Sequence, residues 1–213
     1  MTRVILVRHG ETDWNKEQVF RGRIDLPLNS SGLQQARKTG EVLSRQRIEA
    51  IYSSPLSRAI QTANGIAQFH SHINIKEAKG FIDIDFGKWQ GMPHKDVQNE
   101  FKDLYGIWQR KPQNLKMPSG EGLDDVKLRA MESLNNILRS HVSETVVIIS
   151  HRVVNKVVLC AILGLSNQYF WRIRQDTCAI NIFEDSDMGF IVFVINDTCH
   201  INTFDNGIDK ADF

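Results

Sequence analysis

Two short apolar runs dominate the pattern of the chain, residues 4–7 and 146–149, each built from β-branched and aliphatic side chains with no polar position inside it. Continuous runs of this length read as strands covered on both faces, as in the middle of an open α/β sheet. Both stop on a histidine beside an arginine: Arg8-His9-Gly10 follows the first run and Ser150-His151-Arg152 the second. Such sheets bind ligands at the carboxyl edge, where the residues after each strand arrive. An arginine, a histidine and a glycine there offer a fixed cation, a nucleophile or acid/base, and a backbone that a ligand can approach closely. One histidine at a strand end is more often an ordinary core residue. Two, on two central strands, point to a site.

The rest of the pattern fills in around these strands. Residues 10–28 form a polar loop with Asn15, Arg21, Arg23 and Asp25, longer than most connections in a compact domain and therefore suspected of function. Asn29 is placed to cap a helix whose inner face is expected to hold Leu33, Ala36, Val42 and Leu43. Residues 50–52 read as a second strand. Ser53-Ser54-Pro55 then opens a helix with Arg58 in or near its first turn. A cation there opposes the helix dipole by about 0.3–1 kcal/mol unless an anion lies between them.

An edge strand is expected at 73–75 and a second active loop at 81–91, carrying Asp83, Asp85 and Trp89. Paired carboxylates suit a metal, a solvated turn or a general acid, and the last fits this neighbourhood best. The spacing of Val97, Phe101, Leu104, Tyr105 and Trp108 predicts helix over 93–110, with a loop at 112–122 and further helices at 123–139 and 153–163. An antiparallel pair is expected at 179–184 and 190–195 around a turn at 185–189. His70, His72 and His94 join no constellation and are expected on the surface.

At 213 residues the chain fits one α/β domain, 1–213, with a loose polar tail at 206–213. Lys and Arg number 26 against 25 Asp and Glu, so net charge gives no reason to expect a nucleic-acid or membrane partner, and any cationic site must be a local concentration. Neither a signal-peptide pattern nor a membrane-spanning run is found. Cys160, Cys178 and Cys199 are spaced like neither a zinc site nor a disulfide framework, and reduced thiols in the cytoplasm are the simplest account.

Six blocks in order resemble the histidine phosphatase superfamily, the phosphoglycerate-mutase-like enzymes. They are Leu6-Val7-Arg8-His9-Gly10-Glu11-Thr12, the segment 20–28, Ser53-Ser54-Pro55-Leu56-Ser57-Arg58 with the residues to Thr62 and Ala63, the segment 83–91, Ser119-Gly120-Glu121-Gly122-Leu123, and Ser150-His151. The resemblance implies a three-layer α/β/α sandwich with a mostly parallel central sheet and an antiparallel edge. It further implies a metal-independent phosphatase, without a cofactor, acting on a small phosphorylated metabolite through a phosphohistidine on His9. Arg8 and Arg58 would bind the phosphate, His151 would stabilise the transferring group, and Asn15, Arg21 and Gly22 would add contacts. Glu121 or Ser119 would meet the distal end of the substrate.

Two positions depart from the family pattern. Asp83 stands where a glutamate usually serves as proton donor, with Asp85 as the other candidate, and Arg152 follows His151 where a small residue is common. Arg152 either lends charge to the pocket, as an acidic substrate would require, or points away. The overall resemblance is to short bacterial metal-independent phosphoserine and ribazole-phosphate phosphatases, and it leaves a homodimer open. The alternatives are a cofactor-dependent phosphoglycerate mutase, disfavoured because 92–117 lacks the long arm of those enzymes, and a relative that binds phosphorylated ligands without turnover.

Overall fold

Residues 4–7 and 146–149 are all buried, none more than 1% exposed, and they form the middle of one six-stranded sheet. The computed structural model describes residues 1–201, so the expectation for 206–213 lies outside the described residues. The strands are β1 (Thr2–Arg8), β2 (Ala50–Ser53), β3 (Ile75–Glu77), β4 (Thr145–Ser150), β5 (Ile180–Ser186) and β6 (Gly189–Asp197), in the order β3-β2-β4-β1-β5-β6. The first four in that order run parallel, and β5 and β6 complete the sheet by antiparallel pairing. The helices are α1 (Asp13–Lys16), α2 (Ser30–Leu43), α3 (Ser57–Ala67), α4 (His94–Glu100), α5 (Lys102–Arg110), α6 (Leu123–Ser140) and α7 (Arg152–Ile162).

Successive strand residues point to opposite faces, which divides the core in two. Val4, Leu6, Val146 and Ile148 pack with Val126, Ala130 and Leu134 of α6 and Val154 and Val158 of α7. Ile5, Val7, Val147 and Ile149 pack on the other side with Leu43 of α2 and Ala59, Ala63 and Ile66 of α3. The result is the three-layer α/β/α sandwich, mostly parallel, with an antiparallel edge. Among the described residues no helix is long and apolar enough to cross a membrane.

Register positions the site. Arg8 pairs with Ser150 and Ser53 with Ile149, so β1, β4 and β2 end side by side at one edge. His9 and His151 are the next residues on neighbouring strands, and the His9 N–H donates to the Ser150 carbonyl at 2.9 Å. Gly10 belongs to this edge for a packing reason: a Cβ there would lie 2.6 Å from the Gly32 carbonyl oxygen at the start of α2.

Several expectations are corrected. Leu33 and Val42 are not on the inner face of α2 but 51% and 45% exposed. The inner face is Gly32, Ala36, Thr39, Gly40 and Leu43, a stripe of mostly small residues at helical spacing. Size decides this, because α2 lies so near α3 that a Cβ on Gly65 would meet Ala36 at 2.8 Å. The helical stretch at 93–110 is two helices, broken where Phe101 leaves the α region (φ −121°, ψ 42°). The edge strand lies two residues later than expected, and α7 starts one residue earlier because His151 is its N-cap. His72 is exposed as expected, but His70 and His94 are buried, at 5% and 8% exposure.

Truncating α2 should follow this orientation rather than hydrophobicity. Leu43→Ala should cost about 2–4 kcal/mol by urea unfolding, and Leu33→Ala less than about 0.5 kcal/mol; equal losses would mean that the helix is turned differently.

Candidate active site

Three strand ends and two loops converge on His9. Its Nδ1 lies 2.7 Å from the Gly10 carbonyl oxygen. A carbonyl only accepts, so the proton of a neutral imidazole sits on Nδ1 and the lone pair on Nε2. The ring of His151 stands 5.1 Å away, centroid to centroid, and its Nε2 shares a 2.7 Å hydrogen bond with the Ser54 hydroxyl. His151 Nδ1 is buried, 3.6 Å from Asp83 Oδ2, and has no hydrogen-bond partner among the described residues.

Arginines surround the pair. Arg8 ends β1 with its Nη1 donating to the Gln175 carbonyl at 2.7 Å. Arg58 turns from the first turn of α3 into the interior, where it has no exposed surface. There its guanidinium donates to the carbonyls of Gly22 (2.6 Å) and Ile24 (2.9 Å) and to Asp83 Oδ2 (3.1 Å). Arg58 Nε is buried without a hydrogen-bond partner among the described residues. Gly22 presents its carbonyl from the left-handed region (φ 52°), which favours glycine. The anion that meets Arg58 in the folded chain is thus the Asp83 carboxylate.

A narrow cavity opens among these groups, lined by His9, Arg21, Gly22, Asp83, His94 and Arg152 together with Phe20 and Val153. Burial is the main cause holding His9 and His151 well below the ordinary histidine value; for both, the next cause is the charge of Arg58. Neighbouring charges, Arg8 and Arg21 among them, press the same way on each ring. Both imidazoles are therefore neutral near pH 7.

Of the residues singled out from sequence, His9, Arg21, Gly22, Asp83 and Arg152 line this cavity, whereas His151, Arg58 and Arg8 are not lining residues but lie close enough to act on His9. Asn15 and Glu121 are not among the lining residues. The Asn15 side-chain oxygen accepts from the Thr12 N–H and hydroxyl at the start of α1. Glu121 is engaged by Arg23 (2.9 Å), by Arg129 (2.9 and 3.0 Å) and by the Asp85 N–H (3.0 Å). Burial alone would push its carboxyl up, but the Arg129 and Asp85 hydrogen bonds reverse this and hold it below the usual range. Asp85 Oδ1 accepts from the Gly87 N–H, and its other oxygen faces Arg23, so of the two carboxylates only Asp83 borders the cavity.

Three contributors escaped the sequence reading. Arg129 of α6 donates to the carbonyls of Gly80, Ile82 and Asp83 and so shapes the loop that carries Asp83. His94, expected on the surface, stacks on Phe20 at 4.0 Å and walls the cavity. Ser54 holds His151. Only Ser54 had a sequence signal, its place directly after a strand that neighbours β4.

The family model for the histidine phosphatase superfamily, branch 1, matches residues 4–198. The chain belongs to that superfamily. This histidine phosphatase is 33% identical over 204 residues to phosphoserine phosphatase 1 of Hydrogenobacter thermophilus, covering 96% of each chain. It is 29% identical over 205 residues to a metal-independent phosphoserine phosphatase of Arabidopsis thaliana, covering 95% of this chain and 84% of that one. Among solved structures it is similar to Bacillus stearothermophilus YhfR, with TM-score 0.91, 30% identity, and coverage of 95% of this chain and all of that one (100%). Family membership and these phosphatase names support a phosphoric monoester hydrolase.

The neutral histidines have a consequence for stability. An unfolded histidine takes up its proton near pH 6.5, whereas folded His9 and His151 resist protonation until well below that. The unfolded state therefore binds more protons between those limits. Stability is full above about pH 6.5 and falls with pH, by at most about 1.4 kcal/mol per pH unit for each histidine. Urea midpoints at pH 7.5 and 5.5 should show the decline, and His9→Asn should flatten it; an unchanged slope in that variant would mean that native His9 is charged.

Proposed function

We propose that this histidine phosphatase hydrolyses a small phosphomonoester in two steps through a phosphohistidine on His9, without a metal ion. The observation that carries the reading is the contact between His9 Nδ1 and the Gly10 carbonyl, which leaves Nε2 with its lone pair at the wall of a cavity edged by guanidinium groups. The oxygens of a phosphoryl group are anionic; Arg21 on the cavity wall suits them as a donor, and Arg8 and Arg58 add positive charge from close by. In the first step Nε2 bonds to phosphorus, the ester P–O bond breaks, and the departing alkoxide takes a proton through Asp83, which is a carboxylate beside Arg58 in the free protein and takes up that proton when the phosphate anion enters. In the second, Asp83 takes a proton from water, the water oxygen bonds to phosphorus, and the P–N bond breaks to release inorganic phosphate. His151 donates to the phosphoryl oxygens throughout.

Metal independence is supported by charge: a divalent cation between His9 and His151 would face the guanidinium charges of Arg58, Arg21 and Arg8, which act on both rings. The stretch 92–117 holds only α4, α5 and one short 3-10 turn, which supports hydrolysis over return of the phosphoryl group to a second substrate. A cytoplasmic setting is part of the proposal, supported by free thiols at Cys160, Cys178 and Cys199.

Rapid quench with 32P-labelled substrate should trap an acid-labile, base-stable adduct on His9, and turnover should be unaffected by EDTA and inhibited by vanadate. Wild-type burst amplitude in His9→Ala, or activity lost to EDTA and restored by magnesium or zinc, would sink the mechanism.

The role of Asp83 is tested by leaving-group basicity. General acid catalysis is typically worth about 10²–10⁴-fold where the leaving group needs a proton. Asp83→Asn should slow an alkyl ester such as phosphoserine by a factor in that range and barely slow phosphoryl transfer from p-nitrophenyl phosphate. Equal slowing of both esters would remove Asp83 as the acid.

A further inference from the structure

Beside the cavity at His9 lies a second one of about 450 Å³, and His94 and Arg152 stand in the walls of both. A volume of that size falls within the roughly 300–1,000 Å³ typical of pockets for ligands much larger than a three-carbon leaving group. One wall is aromatic, with Tyr105 and Trp108 of α5 and Trp171. Trp108 and Trp171 meet edge to face at 5.2 Å, and the Trp171 indole N–H donates to the Trp108 carbonyl at 2.7 Å, so this wall is held in place.

The opposite character comes from α7. Arg152 and Lys156 are four residues apart, one above the other on a helix face, and both line the cavity while being only 8% and 6% exposed. The Lys156 ammonium lies 4.7 Å from the centre of the Trp171 six- and five-membered ring system and 4.9 Å from that of Phe170, a cation–π arrangement that keeps it on the cavity side of the helix. Arg172, Arg174 and Asp176 also line the space, and Asp176 is held by Arg174 at 2.7 Å. Two buried cations facing rigid aromatic rings suit an organic body with an apolar face and an anionic end.

We infer that this second cavity receives the organic half of the substrate and that this half carries a carboxylate, bound between Arg152 and Lys156, on a body large and flat enough to lie on Trp108 and Trp171. The inference rests on the phosphatase reading in that the ester's phosphate must sit at His9 while its remainder crosses the shared wall at Arg152 and His94. Arg152 then touches both ends, which accounts for a large cationic residue next to His151.

The test compares benzyl phosphate, 4-carboxybenzyl phosphate and 4-carbamoylbenzyl phosphate, whose leaving alcohols are of nearly equal basicity. A charge-assisted hydrogen bond favours the carboxylated ester by roughly tenfold or more in kcat/KM. Lys156→Gln should bring that ratio close to one, and Lys156→Arg should restore it. Equal kcat/KM for the three esters with the wild-type protein overturns the carboxylate site and leaves the phosphatase reading intact. If none of the esters is hydrolysed, turnover of phosphoserine and p-nitrophenyl phosphate decides the phosphatase reading, and calorimetry with benzylphosphonate and 4-carboxybenzylphosphonate decides the pocket: tighter binding of the carboxylated compound upholds the site, and equal affinity overturns it. Should Lys156→Gln fail to fold by circular dichroism, the wild-type comparison of the carboxylate with the neutral carbamoyl ester decides alone, with equality again overturning the assignment.

Discussion

A guanidinium with no exposed surface costs several kcal/mol in lost hydration unless its donors are met, and this end of the protein is arranged around meeting those on the two Nη nitrogens of Arg58. Its partners come from two separate loops: the carbonyls of Gly22 and Ile24 from the segment after α1, and the carboxylate of Asp83 from the segment before α4. One side chain on α3 thus ties together the two long connections that close over the strand ends. The left-handed backbone at Gly22 and the grip of Arg129 on the Asp83 loop follow from the same requirement, since each aims a carbonyl or carboxylate that would otherwise point elsewhere.

The positive field has a second effect. Desolvation and neighbouring arginines together keep His9 and His151 uncharged, so a group chosen for its ability to titrate near neutrality is held as a base. This suits the nucleophile proposed for His9, because only a neutral ring has a lone pair to offer, and the Gly10 carbonyl leaves that lone pair on Nε2. The same field attracts an anion that brings its own negative charge to the cavity. Attraction of substrate and suppression of histidine protonation are one electrostatic arrangement seen from two sides.

The aromatic and cationic surfaces beyond the cavity share this economy of parts. α7 follows His151, its N-cap, carries Arg152 and Lys156 one turn apart, and takes Val154 and Val158 into the main core. A single helix therefore supports the reacting end, the adjoining pocket and the packing of the sheet, and its position relative to β4 couples the three.

Much of this was legible in the chain itself. Runs of β-branched residues ending in Arg8-His9 and Ser150-His151 were enough to mark two central strands, because an apolar stretch of four or five residues has few other uses and polar residues directly after it must lie at a sheet edge. Asn29 was recognisable as a cap because its side chain has a local partner, the Gly32 N–H. Local partners are what sequence encodes most directly. What only the tertiary structure decided were the relations between distant segments: that the small residues of α2, not Leu33 and Val42, face α3; that Arg129 reaches across to the Asp83 loop; that Glu121 is consumed by arginines; that His94 stacks on Phe20 instead of facing water. Each depends on how closely two elements approach and on which charge lies opposite. Neither quantity is a property of a stretch of sequence, since both are set by packing between residues tens of positions apart.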